Sequence, residues 1–180
     1  TPPVSLINGL SLRLFNQAYF NRPLAESGVI HYEPFFYPLD GVLHWNRAYG
    51  KAGFFQYQFV LPMQARGALD DVLRVIAASG QGSFLAVLKT FGDRPSPGML
   101  SFPMPGVTLA LDFPNRGAQT LALFEQLDTI IDRAGGRLYP AKDARMSRDF
   151  FQRSYPQLSE FVPYIDPKFS SDFARRVLEY

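Results

Sequence analysis

Residues 54–91, FFQYQFVLPMQARGALDDVLRVIAASGQGSFLAVLKTF, decide the fold of this chain. The segment begins with a run from Phe54 to Leu61 in which aromatic side chains alternate with glutamines, a period typical of a strand. Apolar side chains then recur at helical spacing from Gln64 to Ser79, and a second strand-like run extends from Ser83 to Phe91. The segment therefore predicts a strand–helix–strand unit.

The same order of elements returns further along the chain. After a proline-rich loop, the pattern predicts a strand from Val107 to Phe113, a helix from Ala118 to Ala134 and a strand from Arg137 to Ala141. Two successive βαβ units of this size are typical of the ferredoxin-like, or split βαβ, arrangement. We therefore expect an α+β fold whose core, residues 53–143, has one antiparallel sheet with both helices on one face.

Two helical extensions are expected to flank this core. In the N-terminal extension, residues 1–52, an apolar stripe from Ser5 to Phe20 predicts a helix, and Val29 to Pro38 is aromatic and extended in character. The stretch from Asp40 to Gly50 is typical of a short helix or an ordered loop. In the C-terminal extension, residues 144–180, prolines divide the pattern into short helices that we expect to wrap the sheet.

The composition fits one folded domain and limits the kinds of binding and chemistry that its side chains can perform. Hydrophobic residues make up 47% and charged residues 19% of the 180 residues, which excludes a disordered chain. The net charge of +2 gives no basic surface of the kind that binds nucleic acid. Because the sequence has no Cys and two His, we expect no disulfide, no cysteine nucleophile and no metal site. Redox chemistry would have to come from a cofactor.

The hydropathy and the first residue of the sequence bear on two questions, whether the chain spans a membrane and whether it is part of a longer protein. No apolar run reaches the roughly 18 residues that a membrane span needs, and no signal peptide is visible. The sequence begins at Thr1 rather than at Met, so we expect a fragment of a longer protein, either an expressed piece or a product of proteolysis.

Alternation along the strands assigns side chains to the two faces of the sheet. If the aromatic side chains of the first strand face the helices, its two glutamines lie on the other face. In the second strand, the side chains of Phe84, Ala86 and Leu88 oppose those of Leu85, Val87 and Lys89. The face away from the helices then collects polar residues around a small Ala110, namely Gln56, Gln58, Lys89, Thr108, Arg137 and Tyr139.

Two interpretations of this polar face remain open from the pattern alone. An antiparallel sheet often leaves one face to solvent. Alternatively, a few polar groups between aromatic neighbours suit a pocket that binds a hydroxylated ligand. His44, beside Trp45, is in the same way either a ligand contact or an ordinary surface or packed histidine.

The chain carries none of the short motifs that indicate catalysis or nucleotide binding by themselves. It has no G-x-G-x-x-G, no P-loop and no G-x-S-x-G, so we do not expect it to perform chemistry alone. A ferredoxin-like RNA-binding module is an alternative, because residues 53–59 are similar to an aromatic strand that stacks on RNA bases. Such a motif belongs on the third strand, however, where Val107 to Phe113 has no central aromatic and no basic residue. A protein-interaction module is a further alternative.

Several strings of the sequence, taken in order, resemble one family. The longest are WNRAYG at residues 45–50, GFFQYQF at 53–59, LKTFG at 88–92 and GRLYPAKD at 136–143. Shorter matching strings are YPLD at 37–40, LSFP at 100–103, DFP at 112–114 and SDFARR at 171–176. They resemble the C-terminal part of FAD-linked oxidases of the vanillyl-alcohol oxidase superfamily, the group of the decaprenylphosphoryl-ribose oxidases and aldonolactone oxidases.

The resemblance implies an architecture and an activity. Residues 1–180 would form the cap, or substrate-binding, domain of an FAD-dependent oxidoreductase, with the domain that holds most of the FAD upstream of Thr1. The enzyme would oxidise a sugar-like secondary alcohol, of the aldonolactone or the polyprenyl-phosphoryl pentose type, by hydride transfer to the flavin. We expect a cytoplasmic location or one peripheral to the inner membrane, and no nucleic-acid partner.

The resemblance also implies a set of site residues. By motif, Tyr139 and Lys142 match the pair near the flavin, which makes them the candidate catalytic and cofactor-binding residues. The candidate substrate-binding residues are Gln56, Gln58, Lys89, Phe91, Thr108 and Ala110. The chain has Thr108 and Ala110 where the mycobacterial oxidase has Asn and Cys, so the substrate contacts of that strand are expected to differ.

Overall fold

A computed structural model describes residues 1–23, 27–37, 41–83, 85–143 and 145–178. Within these residues, four strands form one antiparallel sheet: β1 (Phe54–Pro62), β2 (Ala86–Phe91), β3 (Gly106–Pro114) and β4 (Arg137–Leu138). The strand order is β2-β3-β1-β4, so β1 and β3 lie in the centre and each βαβ unit is split by a strand of the other. This order is that of the split βαβ arrangement, and the predicted fold is confirmed.

The register of the strands brings the polar residues onto one face. Across the central pair, Gln56 lies opposite Asp112, and Gln58 lies opposite Ala110. Towards one edge of the sheet, Lys89 lies opposite Thr108. Because directly opposite residues share a face in an antiparallel pair, these side chains form one continuous polar surface.

The helices α3 (Ala68–Ala78) and α4 (Ala118–Arg133) both cover the opposite face of the sheet. Val72 of α3 and Leu127 of α4 are fully buried in one core together with Phe59 of β1 and Phe113 of β3. Each such side chain contributes about 1.5–3 kcal/mol when it leaves water. The common core confirms that both helices lie on one side.

Helix α3 and strand β2 begin later than predicted. Helix α3 begins at Ala68 rather than at Gln64, because Met63–Ala65 form a separate 3₁₀ turn after β1. Strand β2 begins at Ala86 rather than at Ser83, whose hydroxyl accepts the Asp112 backbone N–H at 2.8 Å in place of a strand bond. The predicted orientation of Phe84 lies outside the described residues.

Strand β4 is shorter than predicted and ends at Leu138 rather than Ala141. Pro140 has no N–H to donate to a neighbouring strand, and it begins a 3₁₀ turn, Pro140–Lys142. The backbone N–H of Tyr139 still donates to the Gln58 carbonyl at 2.9 Å. Tyr139 therefore stays beside the polar face, and Lys142 follows one turn later.

The C-terminal extension forms the predicted short helices, α5 (Arg148–Ser154), α6 (Leu158–Phe161) and α7 (Asp172–Val177), with a 3₁₀ turn at Val162–Tyr164. The Tyr155 hydroxyl, buried after α5, donates to the Leu138 carbonyl at 2.6 Å. These contacts place the C-terminal helices against the β4 edge of the sheet.

The N-terminal extension departs more from the prediction. Helix α1 (Gly9–Phe20) begins at Gly9 rather than Ser5, because the Asn8 side chain caps it by accepting the N–H groups of Leu10 and Ser11. Its apolar stripe is exposed, and none of its residues is buried among those that the structure describes. The turn Trp45–Tyr49 confirms the predicted short helix or ordered loop.

The extended segment predicted from Val29 to Pro38 is wrong. Residues Tyr32–Phe36 form a short helix, α2, whose N-terminus is capped by the His31 side chain. Pro34 lies in the first turn of α2, where backbone N–H groups make no hydrogen bond within the helix. The missing N–H of proline is therefore compatible with this helix. Pro38 and Asp40, part of one family-like string, lie outside the described residues.

Candidate active site

Four of the predicted site residues line one small cleft on the polar face. These are Gln56, Gln58, Tyr139 and Lys142, and all four are half-buried. The cleft lies where β1 meets the end of β4 and the turn Pro140–Lys142. Strand alternation and a single 3₁₀ turn thus bring together side chains that are more than 80 residues apart in sequence.

Hydrogen bonds fix the orientation of these groups. The Gln58 carboxamide donates to the Thr108 hydroxyl at 3.2 Å, and Thr108 is buried. The backbone N–H of Lys142 donates to the Tyr139 carbonyl at 3.1 Å. Asp143, the next residue, is held by a 2.6 Å ion pair with Arg176. Lys142 therefore stands on a turn that is anchored from both sides.

Two phenylalanine rings lie next to Tyr139, one of the residues that line the cleft. The Phe102 ring stacks on the Tyr139 ring with centroids 4.6 Å apart, and it meets the Phe91 ring edge-on at 5.9 Å. The Arg137 guanidinium donates to the Ser101 carbonyl at 3.1 Å and so holds the loop that carries Phe102. Phe91 thus supports Phe102, a residue that the prediction did not include among the site residues.

The remaining predicted site residues surround the cleft without lining it. Lys89 is exposed on the edge strand β2, on the same face as the cleft. Ala110 is half-buried opposite Gln58. Thr108 acts through Gln58, because its hydroxyl is already engaged by that carboxamide. The structure therefore separates the set into residues that line the cleft and residues that support it or lie at its margin.

Asp112 is a further polar residue at the site, and it was not among the predicted site residues. Its side chain lies on the same face as Gln56, directly opposite in the strand pair, and the residue is only 2% exposed. Burial raises the pKa of Asp112 above its usual value, while Gln56 and Lys142 act in the opposite direction.

Tyr49, from the N-terminal extension, covers this part of the face. Its ring is buried and stacks on Phe54 at 4.5 Å. Burial, and next the negative charge of Asp112, raise the pKa of the Tyr49 hydroxyl. Within the described residues, neither the Tyr49 hydroxyl nor the Asp112 Oδ2 atom has a hydrogen-bond partner. Strand patterns carry no signal for this arrangement, because Tyr49 comes from outside the sheet.

A second carboxylate, that of the half-buried Asp128 of α4, lies on the opposite face and is fully paired. The Arg145 guanidinium binds it through two hydrogen bonds of 2.7 Å, and the Tyr57 hydroxyl donates to it at 2.7 Å. Burial, followed by the charge of Asp128, raises the pKa of Tyr57 well above its usual value. This network ties the segment after Lys142 to α4 and β1 from the helix side.

The cleft is shallow, with a cavity volume of about 10 Å³, and hydrogen-bond donors surround it. It offers an ammonium, a phenol and two carboxamides, groups that hydrogen-bond hydroxyls or the polar edge of a ring system. Among the described residues, no three metal-ligating side chains cluster. β3 presents Thr108, Ala110 and Asp112 on this face, which is not the aromatic and basic surface that binds RNA. No helix in the described part of the chain is long and apolar enough to cross a membrane.

Comparison with known proteins identifies relatives of this chain. No family model matches the chain. The chain is 43% identical, over 148 residues, to the decaprenylphosphoryl-beta-D-ribose oxidase of Mycolicibacterium smegmatis, an alignment that covers 79% of this chain and 32% of the relative. It is 34% identical, over 142 residues, to an uncharacterized protein in the mprA 5' region of Streptomyces coelicolor, with 76% and 38% covered. The chain thus spans about a third of the length of these relatives, and the resemblance to an FAD-linked oxidase is confirmed.

Proposed function

We propose that this chain, similar to decaprenylphosphoryl-ribose oxidases, is the substrate-binding cap domain of a longer FAD-dependent oxidoreductase that oxidises a secondary alcohol of a sugar-like substrate. One observation carries the proposal: Gln56, Gln58, Tyr139 and Lys142 converge on one cleft in a chain 43% identical to such an oxidase. The part of the polypeptide that binds most of the FAD would lie outside residues 1–180.

The donor set of the cleft fits the ring system of a flavin rather than its phosphates. The sequence has no glycine-rich loop of the kind that surrounds a pyrophosphate, whereas Lys142 and Tyr139 supply a cation and a phenol beside the polar face. Bound FAD would supply the hydride acceptor. Lys142 would stabilise the negative charge that develops when the ring is reduced. Tyr139 would orient the reacting alcohol through a hydrogen bond.

The other residues of the face would bind the substrate. Gln56 and Gln58 carry both donors and acceptors, which suits the hydroxyl groups of a pentose or a lactone. Thr108 would hold the Gln58 carboxamide in one orientation. Lys89 is exposed on the same face and would bind the phosphate of a polyprenyl-phosphoryl sugar.

We further propose a location that is either cytoplasmic or peripheral to the inner membrane. A polyprenyl-phosphoryl sugar lies in a lipid surface because its isoprenoid chain is apolar. Apolar side chains of α1, including Leu10 and Leu14, are exposed and available for such contact.

The proposal is tested on the full-length protein, purified with its flavin. Two compounds are added under anaerobic conditions in separate experiments, a polyprenyl-phosphoryl ribose and an aldonolactone. One of them should bleach the absorbance of the oxidised flavin. Gln58→Ala should weaken the apparent substrate affinity about fivefold, the effect of one lost hydrogen bond. Gln64→Ala, which changes an exposed glutamine in the turn after β1, is the matched control and should have no effect. A full-length protein that binds no flavin, or a flavin that neither compound reduces, would refute the proposal.

A further inference from the structure

We propose that Arg176, on the C-terminal helix α7, is a positioning residue of the cleft. It acts through Asp143 to hold the turn Pro140–Lys142, and so it fixes the backbone position from which the Lys142 side chain extends. The inference rests on the proposed function for its consequence in catalysis, but not for its geometry. Lys142 and Asp143 are adjacent in the sequence, and both line the cleft.

The carboxylate of Asp143 is the centre of the hydrogen bonds that follow this turn. Its side chain is only 6% exposed, and its Oδ2 atom lies 2.6 Å from the Nη2 atom of Arg176. The carboxylate also accepts the backbone N–H groups of Arg145 at 3.1 Å and Met146 at 2.9 Å. The Nε–H of Arg176 donates to the Met146 carbonyl at 3.1 Å. One guanidinium therefore binds the segment after Lys142 at two points.

Other contacts attach α7 to the rest of the fold. Val177 is completely buried in the common core, and Leu178 is 8% exposed. The guanidinium of Arg148, at the start of α5, donates to the Leu178 carbonyl at 3.0 Å. These contacts do not involve Arg176. What Arg176 adds is a link from α7 to the segment that carries Lys142, 34 residues earlier in the chain.

This two-point contact depends on the geometry of a guanidinium. Its donors lie in one plane with fixed directions, so Arg176 binds a carboxylate and a carbonyl at the same time. The ammonium of a lysine keeps the charge but is a single point on a flexible stem. Arg176→Lys therefore leaves a cation beside the buried Asp143 carboxylate, whose loss of any partner would destabilise the fold, and removes the fixed geometry. A small displacement of a group that acts on the reacting atoms is enough to slow a reaction.

The first experiment measures the turn without substrate, by hydrogen exchange and mass spectrometry on the full-length protein. Peptides that cover residues 141–147 should exchange several-fold faster in Arg176→Lys, because the N–H groups of Arg145 and Met146 lose a fixed acceptor. Arg153→Lys is the matched control. It changes another guanidinium that binds a carboxylate through two bonds, that of Asp132 in α4, and should leave these peptides unchanged.

Two results of this experiment would overturn the proposal. One is wild-type exchange of residues 141–147 in Arg176→Lys, which would show that Arg176 does not hold the segment. The other is equally faster exchange throughout α5 and α7, which would show that Arg176 has a general structural role.

The second experiment links the turn to the reaction by stopped-flow measurement of flavin reduction in the holoenzyme. Arg176→Lys should lower the limiting rate about tenfold, the effect of losing one charge-assisted contact, and leave the apparent substrate affinity unchanged. Arg153→Lys should keep the wild-type rate. In the Lys142→Met background, Arg176→Lys should cause no further loss, because the charge that it positions is absent.

The double variant separates positioning of Lys142 from any other effect of Arg176. A further tenfold loss in the Lys142→Met background would show that Arg176 acts elsewhere, and a wild-type rate in Arg176→Lys would show that it has no role in the reaction. Either result contradicts the proposal. If the wild-type flavin is not reduced at all, the proposed function fails, while the exchange experiment still decides whether Arg176 holds the turn.

Discussion

At the scale of single residues, Asp112 of β3 and Asp128 of α4 show how differently two carboxylates of one fold are buried and paired. Asp128 has a partner for each oxygen, and Asp112 has one oxygen without a partner among the described residues. Asp112 is buried, whereas Asp128 is half-buried. Their hydrogen bonds distinguish them, and they predict opposite responses to the loss of charge.

The shifted pKa of Asp112 predicts a pH-dependent effect of Asp112→Asn. The raised pKa means that the folded state holds this proton more tightly than the unfolded state, so the stability that protonation provides is lost as the pH rises from about 3.8 through the folded-state value. The variant does not titrate here and escapes this loss. Its unfolding midpoint should therefore match that of the wild type at acid pH and exceed it increasingly towards neutral pH. Thermal scans across this range check the prediction, and a difference that does not vary with pH would contradict it.

The residue scale also shows how far the sequence predicts the site. Strand alternation correctly predicted that Gln56 and Gln58 lie on one face with Thr108. Side chains alternate between the two faces of a strand, so once the aromatic side chains are buried on one face, the glutamines must lie on the other. The same alternation put Asp112 on that face but could not predict its burial. Tyr49, whose pKa the charge of Asp112 raises, reaches the sheet from a segment with no periodic pattern of its own.

At the scale of elements, close backbone approach between β1 and β3 makes one glycine essential. A Cβ atom at Gly106, the first residue of β3, would lie 2.0 Å from the Leu61 carbonyl oxygen. The strands would have to separate where β3 enters the sheet, so Gly106→Ala should destabilise the fold by about 3 kcal/mol. A Cβ atom at Gly92 meets no atom within 4 Å, so Gly92→Ala is the matched control and should be neutral. Denaturant titration of both variants is the measurement, and equal midpoints would show that the strand pair tolerates the side chain.

Elements with strong periodicity were predicted well, and elements controlled by prolines were not. α4 was predicted to within one residue of its observed end, because its apolar side chains repeat over more than four turns. Val29 to Pro38 was predicted to be extended, yet Pro34 fits in the first turn of α2 without any change of the helix. Pro140 was included in a strand, yet its missing N–H ends β4 and creates the turn that carries Lys142.

At the scale of the whole molecule, apolar side chains are concentrated at the surface of the N-terminal extension. Leu10, Leu14 and Phe20 of α1 are all more than 60% exposed, and so are Phe35 and Phe36 of α2. Monomeric soluble proteins rarely expose a large contiguous apolar patch. The isolated chain should therefore self-associate, and its average mass in sedimentation velocity should rise with concentration. Leu10→Gln combined with Leu14→Gln should reduce this association, and a chain that stays monomeric at all concentrations would contradict the prediction.

The placement of the two helices on one face of the sheet explains which side chains line the cleft. The helices α3 and α4 occupy one face of the sheet, so the other face is available for Gln56, Gln58 and the groups that follow β4. The proposed flavoenzyme would use this face as the cap over the reacting ring, with the redox chemistry supplied by FAD and the orientation supplied by these side chains.

The stopped-flow rate of flavin reduction in Lys142→Met tests this account most directly. Methionine keeps much of the length of the side chain but removes its charge, so the variant loses only the stabilisation of the anionic reduced ring. The account predicts a limiting rate lower by a factor on the order of 10² to 10³ in the full-length protein, because the charge acts in the transition state. Substrate affinity should change much less. A Lys142→Met protein that reduces its flavin at the wild-type rate would contradict the account.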